Sequence, residues 1–156
     1  PSARYLGYSM GARVGLQVVL DFPERVRRAV LGGIGTSGAI ESADAIAESF
    51  LRGEPTDDPI AQTFYRFASA QPINDLKALA ACITGMQPKP HPTRLSAIQT
   101  PILVVVGDRD ELARDAPELV ELIASSRLVT IPGRDHMGAV PAREFKQAAI
   151  DFLSEE

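Results

Sequence analysis

The sequence predicts an α/β protein built on a mostly parallel sheet, with a helical segment set into it. Three observations carry that expectation. Four short apolar runs, residues 3–7, 29–31, 101–107 and 127–131, alternate with helical patterns, the order that builds parallel strands joined by crossovers. Ile102-Leu103-Val104-Val105-Val106 is unbroken by any polar residue, as suits a parallel strand covered on both faces. Between the first run and the first helical pattern stands Gly7-Tyr8-Ser9-Met10-Gly11, a serine between two glycines at a switch from strand to helix.

Taken in order, residues 3–7 read as a short buried strand and residues 12–20 as a nearly all-apolar helix, despite the β-branched Val14, Val18 and Val19. Pro23 ends that helix. Ala29-Val30-Leu31 is the second strand, and Gly32, Gly33 and Gly35 mark where the chain leaves the sheet. Residues 41–51 show helical spacing through Ile46, Phe50 and Leu51. Pro59 stands at a helix start before Ile60, Phe64, Tyr65 and Phe67. A third helix is expected from Pro72, with Ile73, Leu76, Leu79, Ala80 and Ile83 on one face and Cys82 as a small core residue. Residues 86–93, with Pro88, Pro90 and Pro92, read as a link too stiff and donor-poor for a helix. Strand 101–107, helix 116–124, strand 127–131 and an amphipathic helix over 141–153 then complete the α/β order. Residues 1–35 and 94–156 thus form the α/β core, and 36–93 a helical insertion much longer than an ordinary crossover.

Composition narrows the function. The chain has 156 residues, 45% hydrophobic, enough for about one domain. Its net charge of −4 and lack of a basic block argue against nucleic acid. A single cysteine excludes an internal disulfide framework and a cysteine metal cluster. No apolar run reaches a membrane span and no signal peptide is visible, so a soluble, cytoplasmic protein is expected.

The chemistry gathers at strand ends, where open parallel sheets place functional groups. Ser9 follows the first strand; Asp108 and Asp110 follow the third; His136 follows the fourth. A serine hydroxyl needs an imidazole to take its proton, and the imidazole needs a carboxylate to hold its tautomer. Turn chemistry alone leaves Asp108 and Asp110 both open. At the turn, Gly7 and Gly11 let strand and helix approach closely, Ser9 is pushed to positive φ, and the Met10 N–H opens the helix beside the hydroxyl. His91, between Pro90 and Pro92, is a poor base and is expected to be solvated.

Gly7-Tyr8-Ser9-Met10-Gly11 resembles the nucleophile elbow of the α/β-hydrolase superfamily, and the order Ser, Asp, His is the order expected there. The stretch from Pro101 to Asp110 is similar to the acid-bearing strand and turn of small esterase- and enol-lactonase-like members. In those the acid is the third residue after the strand-ending glycine, which selects Asp110 and leaves Asp108 as a turn former. Gly133-Arg134-Asp135-His136 resembles the histidine loop, departing from it at Arg134-Asp135, where small or polar residues are commoner. The resemblance implies a C-terminal portion of an α/β-hydrolase fold, the helical insertion being its cap. It implies Ser9 as nucleophile, His136 as base, Asp110 as acid and Met10 as one oxyanion donor, a second donor coming from an earlier part of the fold. The substrate implied is a small-molecule ester or lactone, with no metal or organic cofactor. Same-fold alternatives are C–C, thioester or perhydrolase-type activity, or a non-catalytic receptor or scaffold. If the fragment stands alone, its first strand lies at a bare edge, and the chain is expected to self-associate through that edge.

Overall fold

The computed structural model describes residues 1–37, 41–85 and 90–155. Two compact units emerge, 1–37 with 90–156 and, separately, 38–89.

In the first unit, strands β1 (Ala3–Tyr8), β2 (Val26–Gly32), β3 (Ile102–Gly107) and β4 (Ser126–Ile131) form one sheet in the order β1-β2-β3-β4, every neighbouring pair parallel. The alternation of side chains across the pleat explains why both faces are apolar. Ala29, Leu31, Ile102, Val104 and Val106 point to one face, where they meet Ala12, Leu16 and Val19 of α1 (Met10–Asp21). The same cluster takes in Leu95, from α5 (Pro92–Ser96), and Leu119, from α6 (Ala116–Leu122). Val30, Leu103, Val105 and Ile131 point the other way, onto Ala139 of α7 (His136–Ala139) and Phe145, Ala149 and Phe152 of α8 (Arg143–Ser154). All six residues of β3 are buried, as its unbroken apolar run predicts. The sheet is therefore a parallel layer between two helical layers. β1 pairs only with β2 among the described strands, and its Leu6 is 50% exposed.

The second unit has its own core. Ile46, Ala47 and Phe50 of α2 (Ala43–Arg52), Ala61 and Ala68 of α3 (Pro59–Ser69), and Ala80 and Ile83 of α4 (Leu76–Thr84) cluster together. Pro59 occupies the first turn of α3, and Asp58 caps it by accepting from the Ala61 N–H at 2.8 Å.

Several expectations need correction. α4 begins at Leu76 and not at Pro72, because the Asp75 carboxylate accepts from the Lys77 and Ala78 N–H groups and fixes the start there; Ile73 lies outside the helix and is 92% exposed. Cys82 is exposed, not core: on a helix it lies about 200° from the buried Ala80. The proline link also yields to helix at its end. Pro92 is the first residue of α5, where its missing N–H costs nothing, and the exposed His91 caps that helix through Nδ1, which accepts from the Thr93 N–H at 3.3 Å. Residues 86–89 of that link lie outside the described residues. Among the described residues no helix is long and apolar enough to cross a membrane.

Candidate active site

The site begins with the turn between β1 and α1. Ser9 has φ 51° and ψ −114°, the only non-glycine residue at positive φ among those described. The ψ value keeps it out of the left-handed helical well, so this backbone state is strained. Three restraints hold it. The Ser9 N–H donates to the Gly32 carbonyl at 2.8 Å, tying the turn to the end of β2. The Ser9 carbonyl accepts from the Arg13 N–H at 3.0 Å, opening α1. The Tyr5 hydroxyl donates to the Gly11 carbonyl at 2.6 Å and braces the helix against the strand.

The two elbow glycines are not equivalent. A Cβ on Gly7 would come within 2.5 Å of the Gly11 backbone, so the absence of a side chain there is a condition of the turn. A Cβ on Gly11 would meet nothing within 4 Å. The close approach expected of both therefore rests on Gly7; Gly11 contributes the backbone against which Gly7 packs. A glycine the sequence reading overlooked, Gly15, makes room for the Tyr5 ring, which a Cβ would overlap.

At the far end of the sheet the loops after β3 and β4 are laced together. Asp108 Oδ1 accepts from the Gly133 N–H at 2.7 Å, the turn-forming role expected of it. The Asp108 N–H donates to the Ile131 carbonyl at 3.1 Å and the Arg109 N–H to the Arg134 carbonyl at 3.0 Å. Gly107 permits this lacing, since a Cβ there would fall on the Arg134 carbonyl. Asp135, where the loop departs from the family pattern, caps α7 by accepting from the Gly138 N–H at 2.7 Å. His136 is thus the first residue of a short capped helix whose Ala139 is anchored in the core.

These restraints bring the three strand-end groups into one line. His136 Nε2 lies 2.9 Å from Ser9 Oγ, and His136 Nδ1 lies 2.9 and 3.0 Å from the two carboxylate oxygens of Asp110. The Asp110 side chain is wholly buried and that of His136 is 10% exposed. Asp110 is itself held by a hydrogen bond from the Leu112 N–H to its Oδ1 at 3.1 Å. Asp108 does not join the line. His91 is not part of it either. Met10 is the first residue of α1, so its N–H is among the helix-opening donors that lack an intrahelical acceptor. Among the described residues no three His, Cys, Asp or Glu side chains gather as a metal site would need.

No family model matches the sequence. A deep-sea α/β-hydrolase enzyme, MGS-M2 from a Medee basin metagenome library, superposes with a TM-score of 0.79 at 20% identity, over 99% of this chain and 66% of that one. The chain has the α/β-hydrolase fold. The enol-lactonase of Burkholderia xenovorans shares this fold with a TM-score of 0.68 at 22% identity, again over 99% of this chain and 66% of its own. In sequence, the chain is 27% identical to a Bacillus subtilis protein named "Putative 2-succinyl-6-hydroxy-2,4-cyclohexadiene-1-carboxylate synthase", over 97% of this chain. The chain spans 65% of that relative's length.

One residue of the site escaped the sequence reading. Tyr8 lies between Gly7 and Ser9, and its ring packs against the His136 imidazole with centroids 5.3 Å apart. The signal was the pleat: Gly7 faces α1, so Tyr8 had to face α8 and the histidine loop.

Proposed function

We propose that the chain carries the machinery of a serine hydrolase for small-molecule esters or lactones, working through an acyl-enzyme. The observation that carries this reading is the line Ser9 Oγ–His136 Nε2–Asp110, with both hydrogen bonds near 2.9 Å. Ser9 Oγ attacks the ester carbonyl carbon while its proton passes to His136 Nε2. Asp110 accepts from His136 Nδ1–H, holding the tautomer whose Nε2 accepts the Ser9 proton and stabilising the imidazolium. The Met10 N–H, at the positive end of α1, supports the oxyanion of the tetrahedral intermediate. Collapse breaks the bond to the leaving alkoxide, which takes the proton from His136. Water then attacks the acyl carbon, giving its proton to His136, and the second collapse breaks the bond to Ser9 Oγ, which takes that proton back from His136 as the carboxylic acid leaves.

A series of short-chain aryl esters and simple lactones tests this. Turnover that disappears in Ser9→Ala is the expected result. Saturable binding with no turnover in any of them would favour the receptor or scaffold reading, and turnover confined to thioesters or C–C substrates would move the chemistry without moving the site.

We further propose that, where this chain stands alone, the edge of β1 that pairs with none of the described strands, with Leu6 half exposed, supports self-association. Light scattering across a concentration series is expected to give a mass above that of one chain; a monomer throughout would contradict it.

A further inference from the structure

Tyr8 makes two contacts with one residue. Its hydroxyl donates to the backbone carbonyl of His136 at 2.7 Å, and its ring lies against the imidazole at an interplanar angle of 50°. The first fixes where the His136 backbone sits, and the second limits how far the imidazole can swing. The ring also meets Phe145, from α8, in a T-shaped contact with centroids 5.5 Å apart.

The neighbouring sequence is shaped to admit this ring. A Cβ on Gly32 would overlap the Tyr8 ring and come within 2.6 Å of Phe145. A Cβ on Gly33 would lie 2.7 Å from the same ring and 3.0 Å from His136 Cε1. Gly33 also has φ +64°, a state that favours glycine. Two consecutive residues at the end of β2 are thus without side chains where Tyr8 and His136 meet. The phenol remains a donor in alkaline solution as well, because burial, and then the carboxylates of Asp110 and Asp135, push its ionisation well above the ordinary range.

We propose that Tyr8 is a positioning residue that sets His136 in register with Ser9. Tyr8 and Ser9 are consecutive, so the backbone that presents the nucleophile is also tied directly to the backbone and ring of the base. The effect of Tyr8 on reactivity rests on the reading of Ser9 as nucleophile; its effect on the imidazole does not.

The test uses the full 156-residue chain with 15N-labelled histidine. The chain has two histidines, so the exposed His91 serves as an internal reference. Long-range 1H–15N spectra of His136, assigned by His136→Gln, are compared between the unaltered chain and Tyr8→Phe. The rate at which a fluorophosphonate labels Ser9 is read in parallel. Loss of the hydroxyl is expected to shift or broaden the His136 ring signals, leave those of His91 in place, and slow labelling about tenfold. Tyr5→Phe, which removes a phenol–carbonyl bond of like length from the opposite face of β1, calibrates the loss of thermal stability, and Tyr8→Phe is expected to lose no more. Gly32→Ala keeps the phenol but crowds its ring, and is a second route to the same displacement should Tyr8→Phe not fold. Unmoved His136 signals, or labelling within twofold of the unaltered chain, would overturn the proposal. If the unaltered chain does not label at Ser9, the proposed hydrolysis fails, and the imidazole signals alone decide for or against Tyr8.

Discussion

Ser9 can hold a positive φ because its neighbours leave the chain no better course. The Gly32 carbonyl takes its N–H, and Gly7 lets the first turn of α1 come down onto the strand. The two glycines of the motif then separate experimentally. Gly7→Ala drives a Cβ into backbone and is expected to cost about 2–4 kcal/mol in denaturant unfolding. Gly11→Ala places a methyl in open space on a helix, and is expected to be neutral or stabilising by about 0.5–1 kcal/mol. Equal costs at the two positions would contradict the account of the turn. At the same scale, Asp110→Asn leaves a shape that fits but removes the charge facing His136 Nδ1, so ester turnover is expected to fall about 10²–10⁴-fold. Asp108→Asn changes a ligand of the Gly133 N–H and is expected to cost far less activity. Sequence could place both aspartates at the end of β3. It could not separate them without the family pattern, because the distinction depends on which carboxylate the β4 loop meets.

Among the elements, the loop that leaves β2 is held by a clasp on α6. Asp115 Oδ2 accepts from the Thr36 hydroxyl at 2.8 Å, from the Ser37 N–H at 2.6 Å and from the Ser37 hydroxyl. Gly35 makes the approach possible, since a Cβ there would overlap the Asp115 carboxylate. Burial alone would raise the Asp115 ionisation, but the hydrogen bonds from Ser37 and Thr36 outweigh it and hold the carboxyl below its ordinary value of 3.8. A carboxyl so lowered contributes stability above the unfolded value and loses it as pH falls through the folded one. Asp115→Asn is therefore expected to cost about 1 kcal/mol near neutral pH, after allowing for solvent screening. The gap should narrow in acid below pH 4, as urea midpoints measured across pH would show. The elements the sequence misplaced share a cause. α4 and α5 begin where a side chain, Asp75 or His91, caps the helix; Cys82, separately, lies off the inward stripe of Ala80 and Ile83. Apolar spacing locates a helix but not its first residue; capping decides that.

For the whole molecule, the parallel sheet was legible because β3 and residues 29–32 of β2 are buried on both faces and carry no polar side chain to confuse the pattern. The site was legible because a parallel sheet sends the carboxyl ends of its strands to one edge, where Ser9, Asp110 and His136 meet. What the one-dimensional pattern could not carry was support that depends on three-dimensional neighbours: Tyr8 against His136, the glycines that admit it, and Asp135 capping α7. The proposed chemistry turns on Ser9 as a nucleophile activated by His136. Its most direct measurement is intact and peptide mass spectrometry after treatment with a fluorophosphonate. One adduct per chain is expected, located on Ser9, absent in Ser9→Ala and slowed at least a hundredfold in His136→Gln. No adduct on the folded chain, or an adduct on another residue that survives Ser9→Ala, would contradict it.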